Sequence, residues 1–380
     1  MVYEPQEDSF LLKEFVKRYA KGIALDIGTG SGLQARELAH SKKTKKVFAV
    51  DIDKKAIVFA KKTADHRRHK KITWLVGDLF SPFKVKKYLH YFDTIVFNPP
   101  YLPQDHKVRD IALEGGRRGH ETIERFLNQV NNYLKPNGII LLVFSSLTPE
   151  VQRLLQQNLL VGRELGRTHI FFEDILVYLI KRNPILNQLE KKGVCNISFF
   201  ARGNRGIVFT GIYKGKKVAI KVKRPESMAR ETIKKEAKIL QYVNRHGIGP
   251  KYLFHTPQYL VYEFVEGKYL RDAMKAKNIG HLLRRVFEQC FQLDLLHVCK
   301  GEMTRPYKHV IVKGNRVTFI DFERARRAED SHRNVTQFCQ FVSNHFDKKN
   351  KKKWIELARN YSKNPSRQQL QKILVMLDAH

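Results

Sequence analysis

Two short motifs in the first half of the chain carry residue types that suit a small charged ligand. One is Leu25-Asp-Ile-Gly-Thr-Gly-Ser-Gly32, and the other is Asn98-Pro-Pro-Tyr101. Glycines let the backbone turn tightly and approach a ligand with no side chain in the way. Two consecutive prolines stiffen the second motif and remove two backbone donors, which leaves nearby carbonyl groups free to accept hydrogen bonds. We therefore expect a cradled ligand beside a planar group that carries N–H donors.

Acidic residues extend the glycine motif into a site for a nucleoside. Asp51 ends the next predicted strand, where its carboxylate can accept hydrogen bonds from both hydroxyls of a ribose. Gly77-Asp78 follows the strand after that and supplies a third loop at the same edge of the sheet. The predicted cofactor-binding residues of this half are Asp26, Gly28, Thr29, Gly30, Gly32, Asp51, Ile52, Asp78, Leu79 and Asn98.

The spacing of the glycines distinguishes between two cofactors. Dinucleotide-binding proteins usually show Gly-x-Gly-x-x-Gly, whereas this motif is tighter and is preceded by Asp26. The Asp-x-Gly-x-Gly-x-Gly pattern resembles the first motif of class I methyltransferases. We therefore predict S-adenosylmethionine as the cofactor, with a nicotinamide cofactor as the rival interpretation.

The Asn-Pro-Pro-Tyr motif follows the fourth predicted strand and can bind the group that receives the methyl. The side-chain oxygen of Asn98 and the carbonyl of Pro99 can accept both N–H bonds of an amide or exocyclic amine, and Tyr101 can stack on the planar group. A sulfonium is already a strong electrophile, so positioning and electrostatics can supply most of the rate without an obligatory general base. Asn98, Pro99 and Tyr101 are the predicted catalytic residues of this half.

The second half carries a different motif, which suits phosphoryl transfer. A hairpin containing Gly203 and Gly206 precedes a strand that ends in Val-Ala-Ile-Lys221. Glycines that lie over phosphates, with a lysine on the phosphate oxygens, are typical of kinases. Glu236 on the following helix can fix Lys221, and Glu231 is the competing choice. These residues predict a site for ATP.

Two further stretches supply candidate catalytic and metal-binding groups for that site. Ile320-Asp-Phe-Glu323 resembles the metal-binding Asp-Phe-Gly of kinases, with Asp321 as a ligand of Mg²⁺. Glu302 stands where a catalytic aspartate is expected, and His309 can replace the usual metal-binding asparagine. The longer glutamate can displace the base by about 1 Å, which can cost roughly a hundredfold in rate. The predicted catalytic residues are Lys221, Glu302 and Asp321, and the predicted metal ligands are Asp321 and His309.

The hydrophobic pattern predicts the elements that position these residues. In the first half strands alternate with helices, which favours a parallel sheet covered on both faces and closed by an antiparallel hairpin. A helix is predicted over Glu121–Leu134. The seven predicted strands are Gly22–Ile27, Val47–Asp51, Ile72–Val76, Asp93–Phe97, Ile139–Phe144, Arg163–Phe171 and Ile175–Ile180.

The pattern changes near Pro184, which we expect to stop regular structure. Consecutive antiparallel strands and then mostly helices follow, including a long helix predicted over Met228–Arg245. We predict an α/β domain over 1–182, a linker over 183–193 and an α+β domain over 194–380.

Composition limits the class of protein. The 380 residues include 71 Lys+Arg and 37 Asp+Glu, so the formal net charge is +34. A net positive charge of this size favours phosphate-rich partners. One interpretation is contact with RNA or the ribosome, and the other is that the charged surface is only solvated.

A lysine-rich run at 347–353 flanked by Phe346 and Trp354 can bind bases by stacking or can form a solvated loop. The absence of a signal peptide, a long apolar segment and a paired-cysteine pattern predicts a cytoplasmic protein without membrane contact.

The first half resembles HemK-type release-factor glutamine methyltransferases. The resemblance covers residues 1–182 and rests on Asn98–Tyr101, Val2–Ser9 and the stretch Ala112–Glu121. It is closest to the eukaryotic and archaeal branch, and it implies a class I Rossmann-like fold with seven strands. It also implies that the substrate is the glutamine of a Gly-Gly-Gln loop in a translation termination factor. Glu7 and Asp8 would line the cofactor entrance, and a small zinc-binding activator subunit is an expected partner.

The second half resembles RIO-type atypical kinases over residues 190–345. That resemblance implies a protein-kinase-like fold that binds ATP and Mg²⁺, and hence a bifunctional enzyme. At Glu302 and Glu323 the sequence departs from the residues usual in kinases. Two interpretations therefore stay open: the second half is an active kinase or ATPase, or it is a docking module without catalytic activity. For the first half an N6-adenine methyltransferase stays open as well, because adenine presents an equivalent planar amine.

Overall fold

The computed structural model describes residues 4–65, 69–101, 118–170, 172–203, 206–224, 232–274, 279–327 and 333–378. The chain divides into two compact units, Met1–Lys192 and Gly193–His380. Within the described residues, the helices are too short or too polar for any of them to cross a membrane.

The first unit is built on one mixed sheet of seven strands. Their order across the sheet is β3-β2-β1-β4-β5-β7-β6. The first five strands pair in parallel, while β7 runs antiparallel to both β5 and β6. The predicted class I arrangement with its terminal antiparallel hairpin is thereby confirmed. The strands are β1 (Gly22–Ile27), β2 (Thr44–Asp51), β3 (Ile72–Val76), β4 (Phe92–Phe97), β5 (Leu134–Ser145), β6 (Leu160–Ile170) and β7 (Glu173–Arg182).

Hydrophobic residues on both faces of this sheet are buried, as a parallel sheet covered by helices requires. Leu25 and Ile27 of β1 belong to one cluster, and Ala24 belongs to the cluster on the other face. In the register of β1 with β4, Ile27 lies opposite Phe97. The glycine motif and the Asn-Pro-Pro-Tyr motif therefore begin side by side at the carboxyl edge of the sheet.

Among the described residues six helices accompany the sheet, and two expectations from the sequence were wrong here. The helix predicted over Glu121–Leu134 ends at Val130, because Leu134 already pairs with Phe92 as the first residue of β5. Pro184 does not stop regular structure; it begins a helix whose cap is Asn183, and proline is favoured at that first position because it has no N–H to satisfy. The helices are α1 (Glu7–Tyr19), α2 (Leu33–His40), α3 (Lys54–Thr63), α4 (Glu121–Val130), α5 (Glu150–Gln157) and α6 (Pro184–Lys191).

The second unit begins with an antiparallel sheet of five strands in the order β11-β12-β10-β9-β8. A three-stranded sheet, β13-β15-β16, and a two-stranded one, β14-β17, follow. The strands are β8 (Val194–Arg202), β9 (Gly206–Tyr213), β10 (Lys216–Lys223), β11 (Tyr252–His255), β12 (Tyr259–Glu263), β13 (Lys268–Tyr269), β14 (Val298–Cys299), β15 (Val310–Lys313), β16 (Arg316–Phe319) and β17 (Arg326–Arg327).

The remaining helices of this unit pack around a large apolar cluster. They are α7 (Thr232–Asn244), α8 (Leu270–Ala273), α9 (Gly280–Leu295), α10 (Asn334–His345), α11 (Lys351–Lys363) and α12 (Arg367–Asp378). The described part of the helix predicted over Met228–Arg245 is α7. Glu231 lies outside the described residues, as do 112–117 of the stretch Ala112–Glu121.

The structure corrects the proposal that Trp354 stacks on bases. Trp354 is only 1% exposed, and its ring stacks on Phe287 with 6.1 Å between the ring centroids. Its indole N–H donates to Asp347 at 2.8 Å. The tryptophan is therefore part of the core beneath the lysine-rich run, because its apolar area is worth more buried than exposed.

Candidate functional site

The glycine motif forms a tight turn between β1 and α2. Gly28, Gly30 and Gly32 have φ angles of +63°, +52° and +83°, which is the left-handed region that favours glycine. The backbone N–H of Gly30 donates to Oδ2 of Asp51 at 2.8 Å, and this bond ties the turn to the end of β2. The predicted cradle and its predicted acidic partner are thus brought together.

Two carboxylates lie beneath this turn, and both are shielded from solvent. Asp26 is 2% exposed and accepts a hydrogen bond of 2.6 Å from the hydroxyl of Thr29. Burial raises the pKa of Asp26 to about 7. Burial also raises the pKa of Asp51, although its oxygens accept from the backbone N–H groups of Asp53 and Gly30. A cationic or hydroxyl-bearing ligand would compensate both groups.

The residues predicted beside Asp51 lie along the same edge. Ile52 is 65% exposed, so its apolar side chain is free to cover a planar base. Leu79 is buried and adopts a positive φ of 49°. Asp78 follows β3, as predicted, but its carboxylate forms an ion pair with Arg125 of α4. Contact of Asp78 with a cofactor stays a prediction, and it would compete with that ion pair.

Asn98 is held in one orientation by the start of α1. Its Nδ2 donates to Oδ2 of Asp8 at 2.9 Å and to the hydroxyl oxygen of Ser9 at 3.2 Å. A carboxylate can only accept, so the Asn98 amide must direct its nitrogen toward Asp8 and its oxygen away from it. That oxygen, Oδ1, is buried and has no hydrogen-bond partner among the described residues. A buried acceptor without a donor is unfavourable, and a substrate N–H would satisfy it.

The carbonyl group of Asn98 lies beside the glycine turn. A Cβ atom added at Gly28 would lie 3.9 Å from the carbonyl oxygen of Asn98 and 3.5 Å from the ring of Phe97. Pro99 is buried, and the half-buried Tyr101 places its hydroxyl 3.4 Å from Oδ2 of Asp8. The two motifs therefore share one site.

The residues present fit S-adenosylmethionine. The turn at Gly28 lies in van der Waals range of Phe97 and Asn98, burial raises the pKa of Asp26 to about 7, and Asp51 is a carboxylate held in a fixed position. These features suit a ligand that carries an ammonium group and a ribose.

The second unit brings its predicted residues together around one buried lysine. Nζ of Lys221 lies 2.8 Å from Glu236 on α7, 2.7 Å from Asp321 and 2.9 Å from Glu323. Although burial opposes the charge, these carboxylates hold the pKa of Lys221 well above its usual range. Of the two glutamates weighed in the sequence, Glu236 binds Lys221, and Glu231 lies outside the described residues.

Asp321 is constrained by both its backbone and its partners. It has a φ of +59°, which is uncommon for a residue other than glycine and is often found at functional sites. Burial favours the neutral acid, but the charge of Lys221 outweighs it and holds the pKa of Asp321 at about 2. The buried ammonium of Lys300 donates to the Asp321 carbonyl oxygen at 2.9 Å, and burial lowers the pKa of Lys300.

The other predicted residues of this unit lie nearby. The N–H of Gly203 donates to the carbonyl of Gly206 at 2.9 Å, and a Cβ at Gly206 would lie 3.6 Å from the Lys221 side chain. Glu302 and His309 approach each other to 3.1 Å. Burial raises the pKa of Glu302 and lowers that of His309 to about 4.

Sequence reasoning missed three contacts at these sites. Asp8 was expected at the cofactor entrance, yet it is 5% exposed and bound to Asn98. Glu323 was noted only for its backbone, yet its carboxylate binds Lys221. Lys300 was not singled out, and its position two residues before Glu302 is the only signal that could have found it.

Comparison with known proteins identifies the first unit. The family described as "Methyltransferase small domain" matches residues 7–171. A putative protein N5-glutamine methyltransferase of Methanocaldococcus jannaschii is 38% identical over 46% of this chain and 89% of its own length. Methyltransferase HEMK2 of Mus musculus is 35% identical over 37% of this chain and 71% of its own length.

Two further matches concern a bacterial relative and a solved structure. The release factor glutamine methyltransferase of Koribacter versatilis is 36% identical over 34% of this chain. This chain spans about half of the length of that relative, 48%. The solved E. cuniculi Mtq2–Trm112 complex, described as responsible for methylating the termination factor eRF1, is 25% identical with a TM-score of 0.39. It covers 48% of this chain and 99% of its own. On the sequence matches to its first unit, the chain belongs to the HemK-type family of S-adenosylmethionine-dependent methyltransferases.

Proposed function

We propose that the first unit methylates the side-chain amide nitrogen of a glutamine in the Gly-Gly-Gln loop of a translation termination factor. The observation that carries this proposal is the orphaned Oδ1 of Asn98, a buried acceptor fixed by Asp8 beside the glycine turn. A primary amide supplies the N–H donor that this oxygen lacks. The name of the M. jannaschii relative supports N5 of a protein glutamine as the acceptor, and the name of the K. versatilis relative supports a release factor as the substrate.

Each residue has a distinct role in this proposal. Asp26 and Asp51 would hold the ammonium and ribose ends of S-adenosylmethionine, which supplies an electrophilic methyl group when bound. Asn98 and the carbonyl of Pro99 would accept the two N–H bonds of the glutamine amide and so orient its nitrogen. Tyr101 would cover the planar amide. Positioning of this kind can account for a large part of a rate enhancement.

The test is transfer of labelled methyl to a recombinant termination factor. Label must appear on the wild-type factor and must vanish when the glutamine of its Gly-Gly-Gln loop is replaced by alanine. Asn98→Ala must lower kcat strongly, because the amide loses its acceptor. Equal labelling of the glutamine-to-alanine factor would contradict the proposed substrate.

The alternative for this unit is methylation of adenine N6 in nucleic acid. The same acceptors fit an exocyclic amine, and the net charge of +34 favours nucleic acid. Digestion of treated RNA and DNA followed by mass analysis for N6-methyladenine separates the two reactions. The expected activator subunit also stays a proposal, tested by copurification with a small zinc-binding protein.

For the second unit we propose ATP binding with Mg²⁺, and either kinase or ATPase activity. The cluster that supports it is Lys221 paired with Glu236 and placed against Asp321. Nucleotide calorimetry with Mg²⁺ should show binding that Lys221→Ala abolishes. Lys216→Ala is the matched control, because Lys216 is an exposed lysine of the same strand. Absence of binding in the wild-type protein would leave a docking module without chemistry.

A further inference from the structure

Two adjoining cavities of the second unit form one open groove. Their volumes are about 610 Å³ and about 750 Å³, each within the usual range of ligand-binding pockets. The two cavities share five lining residues, which are Gly247 and Gly249 after α7 and Lys313, Arg316 and Thr318 of the β15–β16 hairpin. We call this continuous surface the basic groove.

Cations are spread along the basic groove from one end to the other. Arg285 of α9 lines only the first cavity, while Lys313 and Arg316 line both. Arg245 and Lys251 line only the second cavity. A row of cations suits a ligand with repeated negative charges, such as the phosphates of a nucleic-acid strand, better than a single anion.

The carboxylates along the groove do not compensate all of these charges. Among the described residues, Arg245, Arg285 and Arg316 form no ion pair, and all three are exposed. Their planar guanidinium groups can each bind a phosphate through two N–H bonds. The three glutamates that line the groove are already paired, as Glu263–Lys216, Glu263–Lys251, Glu266–Lys313 and Glu288–Arg367.

Gln289 adds an acceptor to the first cavity. Its Nε2 donates to the carbonyl oxygen of Val317 at 2.7 Å, and because a carbonyl can only accept, the amide must direct Oε1 away from that strand. Oε1 is buried and has no hydrogen-bond partner among the described residues. A phosphodiester carries no proton to donate, whereas a ribose hydroxyl or a base amine does.

Aromatic rings line the second cavity beside the cations. Tyr252 and Phe264 are both half-buried, and the hydroxyl of Tyr252 lies 2.8 Å from Nδ1 of His255, which fixes the ring. Aromatic rings next to phosphate-binding cations are how proteins bind single strands, because every base has a face that can stack. An acidic peptide would match the cations but has no row of planar groups to stack, so the combination favours nucleic acid.

We propose that the basic groove binds a single-stranded nucleic-acid segment. Its phosphates contact Arg245, Arg285 and Arg316, and its bases stack against Tyr252 and Phe264. The net charge of +34 draws the same kind of partner to the chain.

This site is separate from the cluster around Lys221. Neither Lys221 nor Asp321 is among the described residues that line the groove. Binding here therefore goes beyond the methyl transfer and the nucleotide binding proposed above, and it can be measured without either.

Fluorescence anisotropy tests the proposal, with the full chain titrated into labelled single-stranded RNA at several salt concentrations and without ATP, Mg²⁺ or S-adenosylmethionine. Replacing Arg245, Arg285 and Arg316 together with alanine should weaken binding by at least about tenfold near physiological salt. The slope of log affinity against log salt should fall in magnitude by about 2, because each lost phosphate contact on a single strand contributes about 0.7.

The matched control removes the same charge elsewhere in the unit and should change the affinity by less than about threefold. It replaces three exposed arginines that form no ion pair among the described residues, which are Arg305, Arg333 and Arg359. Equal weakening by the two triple variants would overturn the proposal, because net charge alone would then explain the attraction. Absence of RNA binding by the wild-type protein, or equally effective competition by polyglutamate or by inorganic phosphate, would also overturn it.

Crosslinking of the wild-type protein locates the strand without relying on any variant to fold. RNA that carries 5-iodouracil should crosslink, on irradiation, to Tyr252 or Phe264, as read by mass spectrometry of the peptides. Crosslinks confined to the lysine-rich run at 347–353 would contradict the groove as the binding site.

Discussion

Replacing Asp8 with alanine should lower the rate of methyl transfer without preventing cofactor binding. Asp8 accepts from Nδ2 of Asn98 at 2.9 Å and lies 3.4 Å from the hydroxyl of Tyr101. A hydrogen bond to a charged group contributes about 1.5–3 kcal/mol. If that energy keeps Oδ1 of Asn98 directed at the substrate, its loss lowers kcat by roughly tenfold to a hundredfold. Asp8→Asn keeps an acceptor oxygen but loses the charge, so its effect should be smaller.

The assay is the initial rate of label transfer to the termination factor, with the affinity for S-adenosylmethionine measured separately by calorimetry. Glu14→Ala is the matched control, because Glu14 is an exposed carboxylate of the same helix, α1. A kcat for Asp8→Ala within twofold of that for Glu14→Ala would refute the orienting role of Asp8.

Three further predictions concern stability and pH. Gly32→Ala should lower the free energy of unfolding in urea by about 2–4 kcal/mol, because φ of Gly32 is +83° and the new Cβ would lie 3.0 Å from Ala60. Gly215→Ala should lower it by only about 1–2 kcal/mol, because nothing lies within 4 Å of the new Cβ. The pKa of Asp26 is raised to about 7, so the folded state binds the proton more tightly than the unfolded state. The ligand-free protein should therefore lose on the order of 4 kcal/mol of stability as pH rises from about 4 to above 7, and Asp26→Asn should remove this dependence; an unchanged pH profile would refute the shift. Asp294 is fully buried and accepts from two backbone N–H groups at the start of α10, so Asp294→Ala should destabilise the second unit by at least about 3 kcal/mol. Tyr361→Phe removes one bond to the same carboxylate and should cost only about 1 kcal/mol; equal losses for the two variants would contradict this network.

Local signals in the sequence were sufficient for most of the first unit. Mostly apolar runs such as Gly22–Ile27 and turn residues such as Gly28 indicate structure within a few positions, and the parallel pairing followed from the alternation of strands and helices. The predicted end of α4 was wrong because Leu134 pairs with Phe92 in the sheet, and a contact between segments so far apart in the chain leaves no local signal. Pro184 was misjudged because proline both ends helices and begins them.

Contacts between distant side chains were predicted only where a resemblance grouped the residues. Asp8 and Asn98 are 90 positions apart, and their contact was not predicted. Lys221 and Asp321 are 100 positions apart, and the kinase resemblance assigned them to one site. Trp354 was misplaced because a flanking lysine run suggested exposure, while the ring is buried against Phe287. Contact of the basic surface with RNA stays a prediction, and it no longer includes stacking on Trp354.

Mass spectrometry of the termination factor, isolated from cells with and without this protein, tests the central claim most directly. We predict one added methyl group on the glutamine of the Gly-Gly-Gln loop when the protein is present. That methyl should be lost when the gene is deleted, and it should not return when Asn98→Ala is supplied in its place. An unmethylated glutamine in cells that contain the protein, or an unchanged level of methylation after its deletion, would contradict the account.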